Sequence, residues 1–219
     1  MTDIIKIYKS HANKEQAVKM KAYMRDQFEF LGLPSPLRRE LAKEWLKEKV
    51  KEKVIDWDLV EKLWQQEERE FIYLATDYLR RLKKVVTFDD LDKIKALAQQ
   101  KSWWDSVDNL DELVGIISQI DESKKQVRKI LIQWSKDEDF WIRRLAIDHQ
   151  LSFKGNVDAE LLAEIIKNNF GSDEFFINKA IGWALRDYSK YNPDWVRAFV
   201  KDYGKQMAPL SIREASKYI

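Results

Sequence analysis

Apolar residues recur at helical spacing along almost the whole chain. Val18, Tyr23 and Phe28 form one such series, Leu41, Trp45 and Leu46 a second, and Leu161, Ile165 and Ile166 a third. Such spacing gathers side chains on one face of an α-helix. Asn13, Thr87, Ser102 and Ser123 stand where N-caps are expected, and Pro36 and Pro193 where a first-turn proline is tolerated. Alternating strand-like runs closed by Asn-Gly or Asp-Gly turns are missing. The pattern predicts an all-α chain of roughly a dozen helices joined by short links. No Pro/Gly/Ser-rich linker interrupts it, so residues 1–219 read as one continuous domain.

A weak internal repeat organises these helices. Phe71-Ile72-Tyr73-Leu74-Ala75 precedes Trp141-Ile142-Arg143-Arg144-Leu145 by 70 residues, and Phe176-Ile177-Asn178-Lys179-Ala180 follows it by 35. The same step places an aliphatic residue at 37, 72, 107, 142 and 177, each time early in a predicted helix. Equal helix lengths alone can produce short matches of this kind. Taken as a true period, 35 residues with one helix pair per unit predicts an α-solenoid. The tetratricopeptide consensus is absent, which favours an α-solenoid of HEAT-like helix pairs forming a superhelix. Its concave face would bind DNA if the ladder beside the shared aliphatic is real. Next to the shared aliphatic lie Arg38 and Arg39, Tyr73, Asp108, Arg143 and Arg144, and Asn178 and Lys179. They form either a mostly basic ladder suited to a phosphate backbone or solvated faces joined by i,i+4 pairs.

Composition narrows the chemistry. Lys and Arg (39) nearly balance Asp and Glu (37), so a globally basic coat is excluded, although residues 179–219 carry 8 cations against 4 acids. There is no Cys, which removes thiolate nucleophiles, disulfides and Cys-containing zinc sites. His11 and His149 are too few for a histidine metal cage, and the 6 glycines are too scattered to cradle a phosphate. Against this stand 9 Trp. No segment approaches a bilayer span and the N-terminus lacks a secretory cleavage pattern, so the expectation is a soluble, cytoplasmic protein.

The most unusual segment is KSWWDSVD, residues 101–108. Ser102 followed by Asp105 resembles a capping box. Trp104 and Asp108, at i,i+4, share a helix face. A carboxylate beside indole and facing arginines can stabilise a transient cation; the same spacing also fits a core tryptophan beside a surface acid paired to Arg143 or Arg144. Trp183 and Arg186 share a face at i,i+3, and Gly182 beside them points to a close packing contact. Asp105, Asp108 and Asp111 lack the glycine and glutamate of a calcium loop, so no metal site is expected.

KSWWDSVD, FLGLPSPLRR, the EREF box, WIRR, EFFINKAIGWALRDY with NPDWV, and APLSIREASKYI together resemble the AlkD-like DNA alkylation repair enzymes. These are HEAT-like-repeat alkylpurine DNA glycosylases of bacteria, and the likeness is collinear over almost the whole chain. By motif, the resemblance implies Asp108 as the catalytic aspartate and Trp104 and Trp183 as its site tryptophans. It implies Arg144 as a phosphate contact and carries over Tyr23. Arg143 stands where a neutral residue can occur, and Leu37 where a more polar one can, which leaves the DNA contacts of that loop open. Arg38, Arg39, Arg143, Lys179 and Arg186 complete the expected DNA-binding set.

The activity implied is hydrolysis of the N-glycosidic bond of cationic N3- or N7-alkylated purines in double-stranded DNA. It would be carried out by a monomer, nucleoid-associated when on DNA, without base flipping, metal or organic cofactor. Such a base is already cationic and leaves neutral, so few catalytic groups are needed. A non-catalytic scaffold binding DNA or protein is the alternative, with a metal-dependent nuclease a distant third.

Overall fold

The computed structural model describes residues 2–219, with side chains from Ile4 onward. Among the described residues it contains thirteen α-helices and short 3-10 turns, and its β structure is an isolated bridge between Glu29 and Glu68. The chain divides into two compact units, Met1–Val86 and Thr87–Ile219. Among the described residues no helix is long and apolar enough to cross a membrane.

The first unit holds α1 (Thr2–Ser10), α2 (Lys14–Tyr23), α3 (Ser35–Lys49), α4 (Trp57–Trp64) and α5 (Arg69–Arg81). Asn13 caps α2 as expected, accepting from the Gln16 N–H at 3.1 Å. The apolar series on α2 behaves differently from its pattern: the helix buries nothing, and Tyr23 is 75% exposed. Phe28 lies beyond the helix, with the Arg69 guanidinium 3.9 Å from its ring.

The FLGLP and EREF motifs are parts of one device. Buried Glu70 accepts from the N–H groups of Leu31 at 3.0 Å, Gly32 at 2.8 Å and Leu33 at 3.0 Å. One carboxylate thus satisfies three backbone donors that have no helix to bond them. Gly32 is required there. Its φ is +85°, and a Cβ would lie 2.1 Å from the Asn13 carbonyl oxygen.

The second unit stacks helices in series. It comprises α6 (Leu91–Ala98), α7 (Trp104–Ser118), α8 (Lys124–Trp134), α9 (Phe140–Asp148), α10 (Ala159–Lys167), α11 (Phe175–Ser189), α12 (Pro193–Tyr203) and α13 (Pro209–Ala215). Helices α7, α9, α11 and α13 pack each on the next, while α6, α8, α10 and α12 pack beside them, so each helix pair repeats its predecessor. This is the expected α-solenoid pairing.

Val107, Ile142 and Ile177 are buried where the 35-residue step places them, and Ile72 is buried in the first unit. Burial of each contributes roughly 1.5–3 kcal/mol. Leu37 departs from the series and is exposed. One further step reaches Ile212 on α13, a repeat too short to stand out in sequence.

Start signals met mixed outcomes. Thr87 forms a reciprocal box with Asp90, and Pro193 opens α12 behind an Asn192 cap. Ser123 precedes α8, but its hydroxyl donates to the Ile120 carbonyl. The Ser102–Asp105 capping box does not form. The Ser102 hydroxyl donates back to the Ala98 carbonyl at 2.6 Å, closing the end of α6, and Trp103 occupies the N-cap of α7. Lys101, at φ 50°, turns the chain between the two helices.

Candidate active site

Three consecutive inner helices bring together residues that are distant in sequence. Trp104 opens α7, and Asp108 lies one turn further on the same face, both half-buried. The paired indoles divide the work. Trp103 packs against Trp141 and Phe176, with ring centroids 6.0 and 5.2 Å away, in an aromatic cluster near the starts of α7, α9 and α11. Trp104 keeps partial exposure beside Asp108.

From α9, Arg144 donates through Nε to Asp108 Oδ1 at 2.7 Å and through Nη2 to Oδ2 at 2.8 Å. Its Nη1 donates to the Phe176 carbonyl at the start of α11, also at 2.7 Å. The guanidinium fork therefore matches a carboxylate at two points and anchors the third helix with its remaining arm. Arg144 is 1% exposed. A phosphate could reach it only if it released Asp108.

Arg144 is surrounded by acids. Asp148, at i,i+4 on α9, lies 3.4 Å from its Nη2. Carboxylate oxygens of Asp108, Asp111 and Asp148 lie within 4.8 Å of one another. Such a donor set on its own would suit a divalent cation; here the guanidinium supplies the positive charge, and one cation cannot neutralise three buried acids.

The acids consequently differ in protonation. Burial, followed by repulsion from Asp148 and Asp108, pushes Asp111 well above the usual carboxylate range. Burial also raises Asp148, against the opposing pull of Arg144. Among the described residues neither Asp148 oxygen has a hydrogen-bond partner, which a neutral carboxyl tolerates far better than an anion. Asp108 is likewise raised by burial, but the hydrogen bonds and charge of Arg144 counter that effect. It owns both arms of the fork and retains solvent access, so Asp108 carries the negative charge. Burial disfavours the charge on Arg144, yet Asp148 and Asp108 outweigh it and keep the guanidinium protonated.

Trp183 on α11 supplies the second indole. Its ring lies 5.5 Å from the Arg144 guanidinium, 5.6 Å from Lys179 Nζ and 5.9 Å from the Arg186 guanidinium. Glu214 on α13 holds two of these cations, accepting from Lys179 at 2.8 Å and Arg186 at 2.9 Å, and also from Lys217 at 2.7 Å. Its hydrogen bonds with Lys179 and Lys217 pull its carboxyl down to about 2. Gly182 makes this possible: a Cβ there would come 2.5 Å from Glu214 Cβ.

The structure thus unites Asp108, Arg144, Trp183, Lys179 and Arg186 through direct contacts, with Trp104 one turn from Asp108. Arg143 is half-buried and donates to the Asp137 carbonyl at 3.2 Å. Tyr23, Arg38 and Arg39 belong to the first unit. There Arg38 is buried and committed to Asp77 at 2.5 Å, while Tyr23 and Arg39 are exposed.

Sequence reasoning missed Asp148 and Glu214, and weighed Asp111 only as a calcium ligand, not as a neighbour of Arg144. Two signals were available. Asp148 follows Arg144 at i,i+4, and Glu214 follows Lys179 by one 35-residue step.

Stacked helix pairs carrying an arginine-bound acid beside a cation-flanked indole define a helical-repeat protein with a compact polar site. The sequence profile of the DNA alkylation repair enzymes matches residues 4–219. This chain belongs to that family. A solved structure described as "Predicted DNA alkylation repair enzyme from Enterococcus faecalis" is similar to it, with 38% identity and a TM-score of 0.84 over 95% of this chain and 96% of that one. No curated protein matches the chain.

Proposed function

We propose that the protein is a monofunctional DNA glycosylase that removes cationic N3- and N7-alkylated purines from double-stranded DNA and leaves an abasic site. The observation that carries this reading is the two-point grip of Arg144 on Asp108 beside Trp183. It keeps one carboxylate ionised where burial would otherwise neutralise it.

The chemistry needs little else. An alkylated purine carries positive charge, so cleavage of the N-glycosidic bond releases it neutral, without a general acid. Charge then develops on the sugar as an oxocarbenium-like ion. Asp108 stabilises that ion and accepts a proton from the attacking water. Trp104 and Trp183 offer indole faces that attract the same developing cation. Their half-exposed setting suits a lesion that remains in the duplex better than one extruded into a closed pocket. Lys179 Nζ is engaged as a cation by Glu214, which suits phosphate contact and disfavours the amine nucleophile of a lyase. Arg186, Arg143, Arg39 and Tyr23 add backbone contacts, while Arg38 and Arg144 contribute through the acids they hold.

Incubation with alkylated duplex DNA should release 7-methylguanine and 3-methyladenine, and Asp108→Asn should abolish release while retaining the helical circular dichroism spectrum. Release undiminished in that variant would refute the catalytic assignment. Tight, salt-sensitive DNA binding without base release would instead identify a DNA-binding scaffold.

A further inference from the structure

A cavity of about 320 Å³ opens where α7 and α9 end and α8 and α10 begin. Its lining includes Gln119, Lys124, Arg128, His149, Phe153 and Asn156, and none of the residues assigned to glycosidic cleavage. The volume is at the lower end of the range for small-molecule sites, about 300–1,000 Å³.

The polar groups of this cavity have a definite pattern. His149 is 2% exposed, and its Nδ1 lies 2.7 Å from the Ala146 carbonyl oxygen. A carbonyl only accepts, so Nδ1 carries the proton and Nε2 presents a lone pair. Nε2 has no partner among the described residues, and it is not among the solvent-excluded polar atoms. Burial pushes the imidazole down to about 4, so it stays a neutral acceptor at physiological pH. Position 149 is fixed by its neighbours: its carbonyl oxygen would lie 2.3 Å from a Cβ at Gly115. Phe153 stands edge-on to the imidazole at 6.3 Å, and Leu131 and Leu161 add apolar wall.

Two cations belong to the lining. Lys124 is exposed and forms no ion pair among the described residues. Arg128 uses Nη1 on Asp158, leaving its other nitrogens to donate. The side-chain amides of Gln119 and Asn156, which also line the cavity, have no partner among the described residues.

We propose that this cavity is a second binding site, for a small heterocyclic anion. A ring N–H donates to His149 Nε2, the flat ring lies against Phe153, and a phosphate meets Lys124 and Arg128. A bare inorganic anion would leave the imidazole lone pair and the apolar wall unused. A neutral nucleoside would leave the cations unused.

Guanosine 5′-monophosphate has the required N–H edge and phosphate, and is the probe of choice alongside guanosine and inorganic phosphate. With the intact protein, the monophosphate should shift the His149 Nε2 nitrogen resonance and raise Tm, more than guanosine and phosphate do separately. Lys124→Ala, at an exposed position, should weaken binding about tenfold and leave alkylated-base release unchanged. No shift with the monophosphate, an equal response to inorganic phosphate alone, or unaltered binding in Lys124→Ala would each overturn the proposal. Because base release is measured independently, failure here is distinguishable from failure of the glycosylase reading.

Discussion

Arg144 and Asp108, 36 residues apart in the chain, are joined by two parallel charge-assisted hydrogen bonds, and this pair links α7 to α9 at the centre of the site. Burial favours the neutral acid and Arg144 favours the anion. If Asp108 acts as proposed, the arginine therefore sets how much of the protein carries the catalytic anion at a given pH.

Replacing Arg144 should act through that balance. In Arg144→Gln the acid loses its counter-charge, so the acidic limb of the pH–rate profile for base release should move to higher pH. The rate at neutral pH should fall by about 10²–10³, the size of effect expected for losing a preorganised electrostatic partner. A profile that keeps its shape while its height falls would assign Arg144 to DNA contact alone.

Asp148 makes a prediction about stability. Its folded-state carboxyl is raised to about 7 by burial, against an unfolded value near 3.9. The folded protein therefore binds more protons between these values, and stability falls as pH rises through the window. The slope is at most ~1.4 kcal/mol per pH unit. Asp148→Asn should flatten it, which urea denaturation at a series of pH values would reveal.

Glu214 separates binding from chemistry. On charge alone, Glu214→Gln removes an acid from a cationic cluster and should tighten binding to undamaged DNA. It also frees Lys179 and Arg186 from their places around Trp183, so base release at saturating DNA should slow by about tenfold. A lower KM together with a lower kcat is the signature of a positioning residue. A higher KM with a lower kcat would indicate disrupted packing instead.

The close approach at Gly182 should tolerate no side chain. Gly182→Ala places a methyl 2.5 Å from Glu214 Cβ and 3.1 Å from the Ser211 carbonyl oxygen. Displacing α13 should cost about 1–3 kcal/mol, visible as a lower Tm, and should slow base release as Glu214→Gln does.

Trp183→Phe keeps an aromatic ring but weakens attraction to cations, so release should slow with the melting curve nearly unchanged. A cooperative loss of stability would place Trp183 in the core.

Much of this organisation is legible in the chain because it is local or periodic. Asn13 and Thr87 act through neighbours three residues away, and the buried aliphatics at 72, 107, 142 and 177 repeat with the helix pairs. Ser102 misled because a hydroxyl between two helices can serve either, and only the turn at Lys101 decides. Val18 and Tyr23 misled because apolar spacing does not reveal whether a face has a partner. Asp148 escaped notice for a different reason. Like Asp111, it looks like an ordinary helix-surface residue until stacking turns both inward. The choice of Trp104 over Trp103 likewise depends on which indole the aromatic cluster absorbs.

Asp108 comes from α7, Arg144 from α9, Trp183 from α11 and Glu214 from α13, one contribution per inner helix. The geometry of the candidate site is therefore not lodged in any single loop. It is the running total of three helix-on-helix seatings, and a few tenths of an ångström lost at each would compound along the row. Val107, Ile142 and Ile177 are buried on α7, α9 and α11, so the alignment of the acid with its indoles is only as good as the packing of aliphatic side chains between those helices.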